Sequence, residues 1–486
     1  MKRSRLLTLL PLLLFVVSCA SLSPEQIPFS FERPNRCQEF FDQLDEKVNE
    51  AGVRNVSSFP VPGFPYLRTN RFFSAFRNNL KDEKERELWV QWMKELSLEA
   101  RKKEISNLPD LEKIDQEKLL SQLEACSPEL LNHDKTRSNF YQTLLPLVKI
   151  PDEYSCLRRG IGLYPLISLP VALVTQNSRE KIRRRFETSL SDLPADGSLK
   201  SFVPEKKAFL QGEEIEGMIK EYKKNPFGAS VMDKYQENKL AQSFAPVFIQ
   251  DVAAPYDRIG KVVWKGNRLE IDPEKPTVYY YISHAFLKGE PILQINYVIW
   301  YEERAGKRSP WIERGHLDGL TARISLDSQR RPFMVDVVND CGCYHFFSPE
   351  KERVAQVLSK TFQFDPFVPQ WLPTVPQGKR FGIRINSGWH QVERLLSVEE
   401  TPDSISYELV PYDVLEALPH ENGRTESIFD SKGIVKGSER VERFILFSMG
   451  ISSIGSMRQR GHHAIELIGR THFDDPFLFD KSFMFK

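Results

Sequence analysis

Hydrophobic residues recur at helical spacing through the first half of the chain. Between 81 and 105 the apolar positions fall three or four residues apart, with Lys, Arg and Glu between them. This period is typical of an amphipathic helix. The same pattern predicts three further helices, over 38–51, 111–125 and 136–148. The first half is therefore predicted to be mainly helical.

Two proline-punctuated apolar segments interrupt this helical pattern. Residues 60–68 and 162–171 are predicted to pack as irregular walls of the core. After them, Ser178 is predicted to cap a helix over 179–187, which carries five Arg and Lys residues. Such a charge run is typical of a solvated helix face, and the alternative is a contact with anionic lipid headgroups.

The pattern changes to a period of two from about residue 244. Segments 277–287 and 293–303 are rich in β-branched and aromatic residues and flank "KGEP", which predicts a hairpin. A second hairpin is predicted over 318–327 and 332–340. The fold class is therefore predicted to be α+β. Its predicted parts are a helical region over 35–243, an antiparallel β domain over 244–415, and a short helical or loop segment over 416–486 packed on the β domain.

The first residues have the layout of a cleaved export signal. Three cations precede an apolar run from Leu6 to Val17, which is too short to span a bilayer. The run ends in "VVSC", which resembles the lipobox of bacterial lipoproteins. That resemblance implies a signal peptide over 1–18, a lipidated Cys19 that carries palmitate-type chains, and a tether over 19–34. Ala20 follows the cysteine, which implies an outer-membrane anchor facing the periplasm.

Composition narrows the classes of partner. The formal net charge is +1, and it becomes about −2 once the three signal cations are removed. This balance gives no electrostatic footprint for nucleic acid. Beyond the signal, no apolar stretch approaches 18 residues, so the predicted membrane contact is the lipid anchor. A protein or envelope-polymer partner fits the predicted location.

The cysteines suit an oxidising compartment. Besides Cys19 there are five, which is an odd number, so at least one thiol stays unpaired. Three of them, Cys37, Cys126 and Cys156, lie in the first half, and the sequence does not choose among their three pairings.

The second predicted hairpin gives a testable register. If residues 328–331 form the loop, Asp327 lies opposite Pro332 and paired residue numbers sum to 659. Extending this ladder pairs Asp318 with Cys341 and His316 with Cys343. His345 falls on the same face, so five side chains that can bind a metal are predicted to converge.

These five residues leave three interpretations open. They can bind zinc or copper through thiolate and imidazole ligands. They can be structural, with paired or buried cysteines. A cysteine activated by His345 or His316 can also be a nucleophile. Four other histidines are secondary candidates: His284, His462, His463 and His472.

No Walker loop, G-x-S-x-G, H-E-x-x-H or G-x-G-x-x-G motif is present. "GFPYLR" and "LDGLTARISLD" resemble segments of uncharacterised bacterial proteins, which implies no activity. The leading hypothesis is a lipid-anchored envelope protein that acts as a binding or assembly factor. The alternative is a metal- or thiol-dependent envelope hydrolase that uses the five-residue cluster.

Overall fold

The computed structural model describes residues 35–77, 79–206, 232–361 and 363–486, with a few positions between 210 and 218. The predicted signal peptide, the tether and Cys19 lie outside the described residues. Among the helices of the described part, none is long and apolar enough to cross a membrane.

Helices dominate the chain up to residue 187, as their periodicity predicts. The helix predicted over 81–105 is confirmed, and it buries Trp89 and Met93 against the neighbouring helices. The helix predicted over 136–148 is instead a short α-helix followed by a 3-10 turn. The helices are α1 (Asn35–Glu50), α2 (Arg71–Phe76), α3 (Glu83–Ser106), α4 (Lys113–Lys135), α5 (Phe140–Leu144), α6 (Cys156–Ile161) and α7 (Tyr164–Glu187).

A disulfide joins α1 to α4. Cys37 and Cys126 are 89 residues apart in sequence, with their Cα atoms 5.2 Å apart. Cys156, Cys341 and Cys343 are free thiols. The bond therefore closes a long loop around the helical core.

Both segments predicted to be irregular are regular. Residues 60–68 lie in the hairpin of β1 (Phe59–Val61) and β2 (Phe64–Thr69). Residues 164–171 begin α7, with Pro165 in its first turn, where proline is tolerated. The interpretation of 162–171 as a core wall is wrong, because several of its apolar side chains are exposed.

A ten-stranded sheet forms the centre of the molecule. Its strands, in chain order, are β3 (Ser198–Pro204), β4 (Val247–Val252), β7 (Thr277–Leu287), β8 (Glu290–Arg304), β9 (Gly315–Leu326), β10 (Pro332–Asn339), β11 (Phe346–Pro349), β13 (Arg380–Ile385), β14 (Val392–Val398) and β15 (Ile405–Pro411). Between them lie α8 (Lys234–Phe244), the pair β5 (Lys261–Lys265) and β6 (Arg268–Asp272), and β12 (Val354–Val357).

The sheet is mixed, which corrects the prediction of an antiparallel domain. The strand order is β11-β10-β9-β8-β7-β15-β3-β4-β13-β14. The run from β7 to β11 is antiparallel, as predicted, but β15 pairs in parallel with both β7 and β3, and β13 pairs in parallel with β4. Strand β3 also comes from the region predicted to be helical. Period-two patterning identifies strands but not their partners, so the sequence did not reveal these crossovers.

The C-terminal segment is largely irregular, whereas helix was predicted. Its elements are short: β16 (Leu418–Pro419), β17 (Thr425–Glu426), α9 (Glu442–Ile445) and β18 (Phe483–Phe485). The segment lies over the antiparallel half of the sheet. The Arg323 guanidinium of β9 lies 3.7 Å from the centre of the Phe473 ring and donates to the Phe473 carbonyl at 2.8 Å. This cover buries the face of the β9–β10 hairpin that carries Arg323.

Candidate functional site

The predicted register of the β9–β10 hairpin is confirmed. Val335 pairs with Ile324 and Asn339 with Leu320, so the paired numbers sum to 659. A bulge lies between Pro332 and Met334, next to the turn. Regular pairing therefore extends to Asn339, at the start of the cysteine segment.

The ladder ends before it reaches the cysteines. The Gly342 amide donates to the Asn339 carbonyl at 2.7 Å, and the Asn339 amide donates to the Cys343 carbonyl at 3.2 Å. Gly342 has φ +86°, and a Cβ there would lie 2.3 Å from the Ala464 carbonyl oxygen. This tight turn replaces the predicted Asp318–Cys341 and His316–Cys343 pairs, which do not form.

The remaining members of the predicted cluster have other partners. The His316 ring bonds the Leu269 carbonyl at 2.8 Å, and His345 bonds the Asp336 carboxylate at 2.9 Å. Asp318 accepts two hydrogen bonds from Arg304, at 2.9 and 3.0 Å. In the described ranges no three His, Cys, Asp or Glu side chains are arranged to hold a metal ion. The zinc or copper site therefore stays a prediction that these contacts do not support.

Two of the secondary histidines tie the C-terminal segment to other parts of the chain. His462 bonds Glu153 at 2.8 Å and the Val56 carbonyl at 2.6 Å, and His472 bonds Asp152 at 3.2 Å. The third, His463, lies 3.9 Å from Asp474 within the same segment.

His284 belongs to a different site. It packs on Phe72, with ring centres 5.3 Å apart, and burial lowers its pKa to about 4. Strand β8 separates its strand, β7, from β9. His284 therefore contributes nothing to the cysteine turn.

The two cysteines of the turn form a hydrogen-bonded thiol pair. The hydrogen bond from Cys343, helped by the cations Arg304 and Arg440, lowers the pKa of Cys341 although burial opposes this. The same hydrogen bond and burial raise the pKa of the Cys343 thiol. Cys341 is therefore the more readily ionised thiol of the two.

An apolar cavity of about 380 Å³ lies directly on this turn. Val171 and Val174 of α7 form one wall and Ile454 part of another, while Cys341 and Cys343 lie at the base. The volume is within the usual range for a small-ligand site, about 300–1,000 Å³. The cavity therefore combines an apolar lining with a reactive type of side chain.

Three carboxyl groups also line the cavity, those of Glu313, Glu442 and Glu466. Burial, followed by the nearby Glu313 and Cys341, raises the pKa of Glu442 to about 8, so it holds its proton at neutral pH. Its Oε2 is buried without a hydrogen-bond partner. Glu442 is therefore a neutral acid next to the thiol pair, and sequence reasoning missed it because Glu442 lies in a charged run predicted to be a helix.

A buried network of ion pairs and hydrogen bonds lies next to the cysteine turn. His390 lies between Asp318 at 2.8 Å and Asp257 at 3.2 Å, and its ring stacks on Tyr301 with 3.9 Å between centres. Burial disfavours the charged imidazolium, but its hydrogen bonds to the two carboxylates raise the pKa of His390 above its usual value.

The network reaches the cavity through Arg304 and Glu313. The Arg304 guanidinium donates to Glu313 at 2.9 Å, and Glu313 accepts from the Tyr344 hydroxyl and from the Trp389 indole N–H. The network therefore fixes the position of the cations that favour the Cys341 thiolate. These residues are far apart in sequence, so no local pattern pointed to them.

Comparisons with protein-family models, with curated proteins and with solved structures found no match.

Proposed function

We propose that the protein is a lipid-anchored binding protein of the cell envelope, and that its ligand is a long acyl chain or a similar apolar molecule. The observation that carries this proposal is the apolar cavity under α7. Burying hydrocarbon favours binding by about 0.8 kcal/mol per CH₂ group. The protonated Glu442 and the Tyr344 hydroxyl are polar groups that line the cavity beside the cysteines. They would lie close to the carbonyl oxygen of a bound lipid.

Ligand binding is tested by filling the cavity. In Val171→Trp the indole takes the place of the ligand, and we expect the affinity for palmitate that carries an anthroyloxy fluorophore to fall at least about tenfold. Ile114→Trp, on the exposed start of α4, is the matched control. Equal affinity in the two variants, with unchanged melting temperatures, would rule out the cavity as the binding site.

The proposed anchor is the lipidated Cys19, in the outer membrane and facing the periplasm. Its support is the lipobox-like "VVSC" sequence. Cells that express the wild type or Cys19→Ala are grown with labelled palmitate. We expect label in the wild type only, and equal labelling would contradict the anchor.

A thiol-dependent hydrolase of acyl esters is the second candidate, favoured by the lowered pKa of Cys341 inside the cavity. The Cys341 sulfur would attack the ester carbonyl carbon, and the departing alkoxide would take the proton of Glu442. Water would then cleave the thioester, giving one proton to the Glu442 carboxylate and its hydroxide to the acyl carbon, and releasing the fatty acid and the Cys341 thiolate. No histidine is hydrogen-bonded to either thiol within the described ranges, which places this candidate second.

The hydrolase is tested with a palmitate ester of p-nitrophenol. We expect Cys341→Ser to abolish ester cleavage and the acyl-protein mass, whereas Cys156→Ser leaves both unchanged. Cleavage that survives in Cys341→Ser would contradict the proposed nucleophile.

A further inference from the structure

A run of exposed apolar side chains lies on α6, on α7 and in the turn between them. We call it the leucine patch: Leu157, Ile161, Leu163, Leu166, Leu169 and Leu173, each more than half exposed, with Leu173 at 74%. Soluble proteins rarely leave such a patch uncovered. The patch therefore needs an explanation outside the packing of the molecule.

A second apolar surface extends it. Phe444, at the end of α9, is 72% exposed. The turn after α9 is fixed against α6, because the Ser155 amide donates to the Gly450 carbonyl at 2.8 Å and Arg159 donates to the Met449 carbonyl at 2.9 Å. Phe444 and the leucine patch therefore belong to neighbouring elements held in one arrangement.

The charge around these elements is cationic. No Asp or Glu occurs between residues 154 and 179. Arg158 lies over the Phe447 ring at 5.9 Å and Arg443 over the Phe444 ring at 4.7 Å. Cations beside exposed leucines and aromatic rings are typical of helices that lie in the interface of an anionic bilayer.

The cavity adjoins the same elements. Val171 and Val174 of α7 and Ile445 of α9 line it. The apolar start of α7, from Tyr164 to Val174, is 11 residues long and spans about 16 Å, so it is too short to cross the hydrocarbon core of about 30 Å.

We infer that the leucine patch is the surface by which the protein lies on an anionic lipid bilayer, with the cavity facing the lipid. This inference rests on the proposed function, because it names the source from which an acyl chain reaches the cavity. A chain that passes between bilayer and cavity along α7 stays out of water.

The test compares two triple variants of the full chain, both made in a Cys19→Ala background, so that residues 1–34 contribute equally. Leu166→Ser/Leu169→Ser/Leu173→Ser removes the patch. Ile114→Ser/Tyr235→Ser/Met484→Ser removes three exposed apolar side chains from other elements. Each is floated with vesicles of phosphatidylethanolamine and phosphatidylglycerol, and with vesicles of phosphatidylcholine alone.

We expect the patch variant to bind the anionic vesicles at least about tenfold more weakly than the control variant. We also expect the control variant to prefer the anionic vesicles and to lose this preference in high salt. Equal binding by the two variants would overturn the inference, and so would a loss of self-association in the patch variant without any loss of vesicle binding, which would assign the patch to a second copy of the chain.

The same variants separate this inference from the proposed function. The three leucines do not line the cavity, so the patch variant keeps its affinity for labelled palmitate in solution. If the patch variant keeps both its palmitate binding and its vesicle binding, the leucine patch is not the membrane-binding surface, and the proposed ligand-binding cavity is unaffected. Loss of palmitate binding in Val171→Trp is judged separately and concerns the cavity.

Discussion

At the scale of single residues, the cysteine turn separates two thiols that the sequence presents as equivalent. Cys341 is buried against Arg304 and Arg440, and Cys343 donates to it. A thiolate is the reactive form of cysteine. The two positions therefore differ in reactivity because of a hydrogen bond and two distant cations, none of which can be read from "CGC".

Alkylation by iodoacetamide should reveal this difference. In Cys343→Ser/Cys156→Ser, we expect the rate of Cys341 modification to rise with a midpoint below the ordinary thiol pKa of about 8.5, since serine keeps the donor. In Cys343→Ala/Cys156→Ser the donor is lost, so the midpoint moves to higher pH. Mass spectrometry of the modified peptide gives the rates, and a common midpoint in both variants would contradict the role of Cys343.

The acid Glu442 predicts how stability depends on pH. Its folded pKa is raised to about 8, so its contribution is full below the unfolded pKa and is lost as pH rises through about 8. At about 1.4 kcal/mol per pKa unit, the wild type should lose on the order of 3–5 kcal/mol between pH 5 and pH 9 through this group. We expect Glu442→Gln to remove that loss, as measured by urea unfolding at both pH values. The same slope in Glu442→Gln and wild type would show that another group is responsible.

At the scale of elements, the hydrophobic pattern predicted the helices and strands that have one apolar face and one polar face. Helix α3 has one buried face and the β9–β10 hairpin has one apolar face, so period and register were readable. The first half of α7 was missed, because its apolar side chains point to solvent and reverse the usual signal, and the helix predicted to begin after Ser178 instead begins at Tyr164. The C-terminal segment was missed because side-chain contacts such as His462 to Glu153, rather than a repeating backbone pattern, fix its course.

The disulfide between α1 and α4 should contribute strongly to the helical part. The bond closes a loop of 89 residues. In the chain-entropy treatment, this restriction of the unfolded chain stabilises the folded protein by about 4–5 kcal/mol. We expect Cys37→Ala/Cys126→Ala to lose stability of this order in urea unfolding, while Cys156→Ala loses little. Equal stability of the two variants would mean that the bond does not form in the isolated protein.

At the scale of the whole molecule, Glu416 joins three parts of the chain. It is fully buried and accepts hydrogen bonds from Lys103 of α3 and from Arg460 of the C-terminal segment, the latter at 3.0 Å. Burial raises and the two cations lower the pKa of Glu416, with a net decrease. No sequence pattern predicted this ion cluster, because Lys103 lies 313 positions and Arg460 44 positions from Glu416.

Removing the Glu416 carboxylate should separate these parts. Glu416→Ala removes the buried carboxylate and leaves Lys103 and Arg460 with Asp413 as their remaining ion-pair partner. We expect this loss of charged hydrogen bonds to cost about 1.5–3 kcal/mol, whereas the exposed Glu421→Ala is the control. Because the folded pKa is depressed, the stability that Glu416 contributes is present above the unfolded pKa and is lost as pH falls through the folded pKa. If Glu416→Ala and Glu421→Ala have the same unfolding midpoint at neutral pH, Glu416 does not have this role.

The C-terminal cover of the sheet has a consequence for the order of folding. Its contacts join residues separated by more than 300 positions, such as Tyr154 with Thr471 and His462 with Glu153. Such contacts are slow to form, because a long loop must close before they contribute. Until Phe479 and Phe483 have packed against β10, the apolar face that they bury is exposed and can associate with other chains. The sheet is therefore covered only after residues 471–483 have been synthesised, so holdase chaperones should bind the protein during synthesis and transport.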